Sequence, residues 1–154
     1  AGAELFVTDI YPEGIDRAVE ELGATPVAPE EIYALDVDVI APCALGASIN
    51  DTTLPTIKAK VIAGAANNQL AREEIGDILH KQGILYAPDY VLNAGGIIDI
   101  YHQRMESSSN EALRAHIEEI GDTLKEIYTR ADAEQKATNR VANMIAEERF
   151  TNKA

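Results

Sequence analysis

The chain has 154 residues, of which 46% are hydrophobic and 25% are charged, and this composition is typical of one globular domain with a substantial core. Its 26 acidic and 13 basic residues give a net charge of −13, which argues against nucleic acids and anionic membranes as partners. No apolar run approaches the roughly 20 residues that cross a bilayer, and the single cysteine, Cys43, excludes an internal disulfide, so we expect a cytoplasmic protein.

The first predicted strand, Glu4–Asp9, ends in an acidic residue. In nucleotide-binding βαβ folds, a carboxylate at the end of the second strand accepts hydrogen bonds from the ribose hydroxyls of adenosine, and Asp9 is a candidate for that role. Glu13 and Asp16 add negative charge nearby, which disfavours a 2′-phosphate and favours NAD over NADP. Arg17 is a residue type that binds such a phosphate, and an aspartate after a strand is also a common turn or capping residue.

A glycine-rich phosphate loop normally lies roughly 20 residues before such a carboxylate. Only eight residues precede Asp9, no G-x-G-x-x-G pattern occurs, and the chain begins at Ala1 rather than at a methionine. We therefore expect a Rossmann-like parallel sheet that lacks its first strand and its glycine-rich loop, within a protein that extends upstream of Ala1. Because the first strand of such a sheet lies in its middle, the Asp9 strand and the Asp36–Cys43 region should not be direct neighbours.

Strand and helix signals alternate along the chain, which predicts an α/β fold of parallel strands joined by right-handed helical crossovers. Ile15, Val19 and Leu22 form one apolar stripe of a helix over Pro12–Leu22, which Gly23 should end. The elements predicted next are a buried strand over Asp36–Cys43, a loop over Ala44–Asn50, a short turn that Asp51 caps before Pro55, a strand that starts at Val61, a helix over Glu73–Gln82 that Gly83 ends, and a strand over Ile84–Ala87.

Two of these strands lead into small residues and an asparagine, in Val61–Asn68 and in Tyr86–Gly96. Ligands of open α/β sheets bind at the carboxyl ends of the strands, and small residues there admit a flat ligand. The side chains of Asn67 and Asn93 each offer a hydrogen-bond donor and an acceptor, which suits a carboxamide-bearing ring such as nicotinamide. The alternative is that each asparagine only caps a helix.

The last third of the chain is predicted to be helical, and Ser108 with Glu111 has the spacing of a capping box. The apolar stripes of the two helices are Leu113, Ile117, Ile120, Leu124 and Ile127 in the first, and Ala137, Val141, Met144 and Ile145 in the second. We interpret these helices as packing elements and divide the chain into a truncated dinucleotide-binding domain, residues 1–108, and C-terminal helices, residues 109–154.

The three histidines, His80, His102 and His116, have no second histidine or cysteine at metal-ligand spacing, so no metal site is predicted. His80 falls at the end of a predicted helix, where a cation is favoured. No catalytic role is assigned to any histidine or to Cys43, because no nucleophile with a partner base can be identified from the sequence.

The segments Asp36–Gly46, Val61–Asn68 and Gly83–Gly96 together closely resemble the leucine, phenylalanine, valine and tryptophan dehydrogenases of the glutamate/leucine/phenylalanine dehydrogenase superfamily. This resemblance, which runs from Ala1 to about Arg149, implies the NAD-binding part of an oligomeric enzyme that oxidatively and reversibly deaminates an apolar L-amino acid to a 2-oxo acid and ammonia. In the family, an amino-terminal domain supplies the lysines that bind substrate and the aspartate that transfers protons. The resemblance therefore implies no catalytic residue in this chain and no turnover by the chain alone.

Individual binding roles follow from the same resemblance. It implies that Asp9 holds the adenosine ribose, that Cys43, Ala44 and Leu45 line the cofactor cleft, that Ala65, Ala66 and Asn67 contact the nicotinamide ribose and the substrate, and that Asn93 binds the nicotinamide carboxamide.

A helix that starts near Asn93 would place Ile97, Ile100 and Arg104 on the face of Asn93. The resemblance implies that Ile97 and Ile100 shape the pocket for the substrate side chain, whereas glutamate-specific relatives carry a hydroxyl residue where Ile100 stands. An apolar pair suits an apolar substrate because an unpaired buried carboxylate is costly, and bulky Ile97 favours a branched aliphatic side chain over an aromatic one. The alternatives are that both isoleucines are ordinary core residues, that the enzyme is a glutamate dehydrogenase, or that the chain is a non-catalytic NAD-binding module.

Overall fold

The computed structural model describes residues 2–105 and 109–151. Its strands are β1 (Phe6–Val7), β2 (Thr25–Pro26), β3 (Val39–Ile40), β4 (Val61–Ile62) and β5 (Leu85–Tyr86), and its helices are α1 (Pro12–Leu22), α2 (Glu74–Lys81), α3 (Asp89–Leu92), α4 (Gly95–Gln103), α5 (Asn110–Glu134) and α6 (Thr138–Thr151). Two short 3₁₀ turns cover Ile32–Ala34 and Leu54–Thr56. The strand pairings are parallel, which confirms the predicted α/β class.

The strands of the described residues form two sheets. β1 pairs with β2, while β3, β4 and β5 pair in that order, and no strand pairing joins the two groups within residues 2–105 and 109–151. The strand that precedes Asp9 and the strand of the Asp36–Cys43 region are therefore not direct neighbours, as the sequence predicts.

The paired strands are shorter than their predicted spans, and β2 was not predicted at all. Backbone bonds continue beyond the strand limits, as where the amide of Ala63 donates to the carbonyl of Ile40 at 2.9 Å. In β2, the amides of Thr25 and Val27 donate to β1, so the position of Pro26, which has no N–H, faces away from β1 and costs no bond in the sheet.

The first two long helices match the predictions closely. α1 has the predicted bounds, with a proline in its first turn and Gly23 after its end at φ 67°, a left-handed conformation that glycine adopts readily. α2 is one residue shorter at each end than predicted, and Gly83 follows it at φ 72°.

The cap predicted before Pro55 was wrong by one residue. The Oδ1 atom of Asn50, not Asp51, accepts hydrogen bonds from the amides of Thr52 and Thr53 at 2.9 and 3.1 Å. An asparagine side chain reaches the amides two and three residues further on, so Asn50 is the better placed of the two neighbours. The carboxylate of Asp51 instead pairs with Arg72 at 2.5 Å.

Two apolar clusters form the core. The first joins the β3–β4–β5 sheet, α2 and the loops around them, and consists of Ile49, Leu54, Ile62, Ile75, Leu79 and Tyr86. The second lies between α5 and α6 and consists of Ile127, Ala131, Val141, Ala142 and Ile145. The sequence pattern identified the helical stripes that contribute Ile127, Val141 and Ile145.

The two C-terminal helices pack on the preceding elements, α5 against α3 and α4, and α6 against α2 and β5. Ser109 caps α5, since its Oγ accepts from the amide of Ala112 at 3.2 Å, whereas the predicted cap Ser108 lies outside the described residues. The division of the chain at residue 108 stays a prediction. Within residues 2–105 and 109–151, no helix combines the length and the apolar composition that a membrane span requires.

Candidate functional site

Glycine residues bring the segments after β3 and β4 into contact. A Cβ at Gly64 would lie 2.1 Å from the carbonyl oxygen of Pro42, and one at Gly46 would lie 2.8 Å from the carbonyl oxygen of Asn67. Both approaches are too close for any side chain, so only glycine allows the carboxyl ends of these two strands to meet. The amide of Ala47 then donates to the carbonyl of Asn68 at 2.7 Å and joins the two loops.

This junction exposes most of the residues that were predicted either to line the cofactor cleft or to contact the nicotinamide ribose and the substrate. Cys43, Ala44 and Leu45, on the loop after β3, and Ala65 and Asn67, after β4, are exposed. Cys43 was expected at the end of a buried strand, but β3 ends at Ile40 and the thiol reaches solvent. Ala66 is buried, so its side chain packs inside the protein.

The structure brings Asn67 and Asn93 into direct contact. The Nδ2 atom of Asn93 donates to the Oδ1 atom of Asn67 at 2.6 Å and to the carbonyl oxygen of Ala65 at 3.3 Å. The capping alternative was wrong, because α3 and α4 have no side-chain cap and α2 begins seven residues after Asn67. The two asparagines lie at the same edge of the sheet, as the sequence predicts.

The side chains of Asn67 and Asn93, here called the amide pair, have hydrogen-bonding groups that these contacts do not use. Both bonds of Asn93 use its Nδ2 atom, so they leave its Oδ1 atom as an acceptor, and the bond to Asn67 leaves the Nδ2 atom of Asn67 as a donor. Immediately after Asn93, a Cβ added at Gly95 or Gly96 would meet no heavy atom within 4 Å. The backbone that directly follows Asn93 is therefore open at both glycines.

Asp9 lies after β1 and before α1, with an exposed carboxylate. Its Oδ1 atom accepts from the amide of Tyr11 at 2.9 Å, which is the turn-forming role that the sequence left open. The Oδ2 atom is not used by that bond and points towards Gly14, where an added Cβ would lie 3.6 Å away. Arg17, the residue that raised NADP as an alternative, pairs with Glu21 at 3.2 Å.

Ile97 and Ile100 lie on α4 with 66% and 48% of their surfaces exposed. Neither is a core residue of the described chain. Asn93 was expected on the same helix, but α4 begins at Gly95, and Asn93 instead follows the last residue of α3. The short helix Asp89–Leu92, which precedes Asn93, was not predicted from the sequence.

The histidines show a contact that sequence spacing could not reveal. His80 lies in the last turn of α2, as expected. The Nε2 atom of His102 on α4 lies 3.1 Å from the Nδ1 atom of His116 on α5, and the ring of Tyr101 packs edge-on against both imidazoles. In the described part of the chain, no three side chains of the histidine, cysteine and carboxylate types group together as metal ligands.

Sequence reasoning gave no role to Asp89, which lies inside the motif Gly83–Gly96, or to Gln69, which directly follows the motif Val61–Asn68. Gln69 is fully buried two residues after Asn67, and the carboxylate of Asp89 accepts a hydrogen bond from its amide. Burial, then the negative charge of Asp89, raise the pKa of the nearby Tyr86 phenol well above its ordinary value. The feature of the sequence that could have indicated a role for Gln69 is that this glutamine stands among small residues and asparagines.

Known proteins resemble this chain in sequence and in fold. Residues 9–153 match the family model of the Glutamate/Leucine/Phenylalanine/Valine dehydrogenases. Over 149 residues the chain is 50% identical to leucine dehydrogenase of Bacillus cereus, which covers 97% of this chain and 40% of that enzyme. The crystal structure of L-tryptophan dehydrogenase from Nostoc punctiforme has a TM-score of 0.91 at 45% identity, over 97% of this chain and 44% of that one.

A hetero-hexameric glutamate dehydrogenase from Thermus thermophilus has the same fold, with a TM-score of 0.69 at 22% identity over 92% of this chain and 36% of that one. The chain therefore spans about 40% of the length of the leucine dehydrogenase that it matches. The match over residues 9–153 nevertheless covers nearly the whole chain, and the chain belongs to the Glutamate/Leucine/Phenylalanine/Valine dehydrogenase family.

Proposed function

We propose that this chain is the NAD-binding part of an L-amino-acid dehydrogenase that oxidatively deaminates an apolar amino acid. The observation that carries the proposal is the contact between Asn67 and Asn93 beside the open space at Gly95 and Gly96. Membership of the dehydrogenase family supports it independently.

The amide pair fits the nicotinamide end of the cofactor. The Oδ1 atom of Asn93 would accept from the carboxamide nitrogen, and the Nδ2 atom of Asn67 would donate to a cofactor or substrate oxygen. When bound, NAD would supply the hydride acceptor for oxidation at the α-carbon of the amino acid, and hydrolysis by water would then give ammonia and the 2-oxo acid. The contribution of this chain would be to orient the nicotinamide ring through the two asparagines, beside exposed Ala65 and the open backbone of the two glycines.

The residues around the proposed binding site for the adenosine ribose favour NAD over NADP. One carboxylate oxygen of Asp9 is not used by the turn, and this oxygen would accept a hydrogen bond from a ribose hydroxyl. A 2′-phosphate at the same place would meet Asp9 and Glu13, and the nearby cation, Arg17, pairs with Glu21 at 3.2 Å. Cys43, Ala44 and Leu45 would line the cleft between the two ends.

The substrate is proposed to have an apolar side chain. Ile97 and Ile100 are exposed on the helix that follows Asn93, so they are available to contact a side chain held beside the nicotinamide. They offer no charge to a glutamate side chain, whose carboxylate would be costly to bury there. The relatives at high identity are named for leucine and tryptophan, both of which are apolar amino acids.

The whole protein is proposed to act in the cytoplasm as a homo-oligomer, and residues 109–154 are proposed to be a helical unit that packs on the dinucleotide-binding unit. The catalytic lysines and the proton-transferring aspartate are proposed to lie in a part of the enzyme outside this chain.

The proposal is tested on the purified whole protein in two measurements. Titration with NAD and with NADP gives the dissociation constants, and NADH formation is followed with L-leucine, L-phenylalanine, L-tryptophan and L-glutamate. We expect tighter binding of NAD, turnover of the apolar amino acids, and a roughly tenfold loss of NAD affinity in Asn93→Ala, which is the upper range for a neutral hydrogen bond.

Asn143→Ala is the matched control, because Asn143 is also a hydrogen-bonded asparagine but lies on α6, against Tyr90 and Glu73. Its NAD affinity should equal that of the wild type. An equal loss in the two variants would contradict the assigned role of Asn93. A preference for L-glutamate would favour the alternative of a glutamate dehydrogenase, and NAD binding without any turnover would favour a non-catalytic module.

A further inference from the structure

Gln69 is a polar side chain with no exposed surface. Its Nε2 atom donates to the carbonyl oxygens of Gly64 and Ala66, at 2.5 and 3.0 Å, across the loop that carries Ala65 and Asn67. Its Oε1 atom is buried with no hydrogen-bond partner among the described residues. An apolar side chain would have no buried unsatisfied oxygen, so the presence of glutamine indicates that its two donated bonds stabilise this loop.

Asp89 connects this loop to the segment that carries Asn93. Its Oδ2 atom accepts from the amide of Gln69 at 2.7 Å, and its Oδ1 atom accepts from the amide of Tyr90 at 2.6 Å. Only a carboxylate can accept at both oxygens, and charged acceptors make stronger bonds than neutral ones. One side chain therefore fixes the loop after β4 to the start of α3.

These bonds lie close in sequence to both members of the amide pair, in the loop after β4 and in the segment that includes α3. Asn67 lies two residues before Gln69, and Asn93 lies four residues after Asp89. The Asn67–Asn93 contact at 2.6 Å requires both segments to keep their relative position, since each asparagine otherwise has free rotation about its side-chain bonds. Binding a rigid carboxamide benefits from a pair that is already aligned.

We propose that Gln69 and Asp89 are positioning residues, which hold Asn67 and Asn93 in the arrangement that binds the nicotinamide carboxamide. This inference rests on the proposed function, because it concerns the same site. Neither residue touches the cofactor directly; each acts through an asparagine.

Three single variants of the whole protein test the proposal. Gln69→Met removes both donated bonds at similar volume, and Asp89→Asn keeps the size of the side chain but offers an NH₂ group to one of the two amides. Asn139→Leu is the matched control, because Asn139 is another buried amide that donates to a backbone carbonyl, that of Glu73, and has an unpartnered oxygen. It lies on α6, away from the amide pair.

The first measurement is hydrogen–deuterium exchange of the protein without ligand. Exchange should accelerate in peptides that cover residues 64–70 and 88–94 in Gln69→Met and Asp89→Asn, and it should stay at the wild-type rate there in Asn139→Leu. The second is the NAD dissociation constant, which should rise at least tenfold in the two site variants and stay within twofold in the control, even where all three lose similar thermal stability.

The third measurement is a double-variant cycle, and a merely structural role would not produce its expected result. Once Asn93→Ala has removed the amide, adding Asp89→Asn should weaken NAD binding much less than it does in the wild type. Additive losses would overturn the proposal, as would NAD affinities that survive both site variants unchanged. A wild-type protein that binds no NAD would instead refute the proposed function, and unaltered exchange at residues 64–70 and 88–94 would refute the positioning of the amide pair.

Discussion

Asp9 has the turn-forming role that the sequence presents as an alternative, and the proposed ribose-binding role would use its second carboxylate oxygen. Its Oδ1 atom fixes the turn into α1 through the amide of Tyr11, while its Oδ2 atom is not used by that bond. A carboxylate has enough acceptor sites to form the turn and to bind a hydroxyl group at the same time. The turn holds the side chain in place before a ligand arrives, which lowers the entropic cost of binding.

Replacing Asp9 with alanine should therefore weaken NAD binding. A charge-assisted hydrogen bond is worth roughly 1.5–3 kcal/mol, so we expect a loss of about one to two decades in affinity, measured by titration of the whole protein. Glu20→Ala is the control, since it removes the same charge from an exposed position near the other end of α1. An unchanged affinity in Asp9→Ala, or an equal loss in Glu20→Ala, would refute the ribose-binding role.

Ile97→Ala should change the choice of substrate rather than the stability of the protein. The side chain is 66% exposed, so its truncation removes little buried surface from the described chain. One methylene in a pocket is worth ~1–3 kcal/mol of discrimination, so removing several carbons should shift the kcat/KM ratio from branched aliphatic substrates towards phenylalanine by at least about tenfold.

Ile75→Val provides the contrasting case, because Ile75 is fully buried in the core under the three-stranded sheet. It should lower the free energy of unfolding by about 0.5–1.5 kcal/mol, which lowers the unfolding temperature, and leave the substrate ratio unaltered. An Ile97→Ala enzyme that behaves like Ile75→Val would show that Ile97 is an ordinary packing residue of the whole protein. NAD affinity should be the same in both variants.

At the level of elements, the contact between α2 and α6 depends on a glycine. A Cβ at Gly76 would lie 2.1 Å from the Oδ1 atom of Asn139, which is far inside the contact distance. Asn139 cannot retreat freely, because its Nδ2 atom donates to the carbonyl of Glu73 at 3.1 Å. Arg140 and Thr138 fix α6 further, through ion pairs with Glu73 and Asp77 and a hydrogen bond to β5.

Gly76→Ala should consequently destabilise the chain although alanine is the better helix former. Overpacking costs typically 1–3 kcal/mol, whereas the gain in helix propensity is only about 0.5–1 kcal/mol. Gly121→Ala is the matched control, since a Cβ at that exposed position in α5 meets nothing within 4 Å and should raise the free energy of unfolding. Chemical denaturation measures both changes, and stabilisation by Gly76→Ala would contradict the close approach of α2 and α6.

A second link, between α5 and α6, should depend on pH. Both oxygens of Glu148 accept from Arg130 at 2.7 Å, and this hydrogen bonding holds the pKa of Glu148 below its ordinary value. A carboxylate with a lowered pKa in the folded state stabilises the fold above its unfolded-state pKa, and that contribution is lost as the pH falls through the folded-state pKa. Glu148→Gln should thus lower stability near neutral pH and have little effect in acid.

Thermal unfolding at about pH 7 and about pH 3 checks this expectation. Glu118→Gln, which removes an exposed pair with Arg114 within α5 alone, is the control and should change stability less at neutral pH. If Glu148→Gln lowered stability as much in acid as at neutral pH, the carboxylate charge would not be what stabilises the contact between α5 and α6.

The same elements show how far sequence reasoning reaches. α1 and α2 were predicted almost to the residue because a local apolar stripe and a terminal glycine define each one. β2 was missed because its proline, Pro26, signals a turn, and only its pairing with β1 makes it a strand. α3 was missed because four residues are too few to display a helical period.

The site could be predicted in part for similar reasons. Asn67 and Asn93 were identified because each follows a strand, and the ends of parallel strands lie at one edge of a sheet. The bond between Gln69 and Asp89 and the contact of His102 with His116 join residues 20 and 14 positions apart, whose proximity depends on packing rather than on local pattern. The relation of Asp9 to the amide pair stays a prediction, since β1 and β4 belong to separate sheets.

For the molecule as a whole, the dominant electrostatic property is its excess of negative charge. The ion pairs of the described residues use several of the 13 basic side chains, yet the net charge of −13 remains. Like charges repel most strongly in the compact state, and salt screens this repulsion over distances beyond a Debye length. Exposed ion pairs, which salt also weakens, are worth little individually.

Salt should therefore stabilise this chain. Raising the ionic strength from about 10 mM to about 150 mM shortens the Debye length from roughly 30 Å to roughly 8 Å, and we expect the unfolding temperature to rise by about 2–4 °C, the shift that ~1 kcal/mol produces in a domain of this size. Sodium chloride and choline chloride should act equally at the same ionic strength, because screening does not depend on the identity of the cation. A lower unfolding temperature in salt would mean that the attractive pairs, such as Arg130 with Glu148, outweigh the repulsion that the net charge produces.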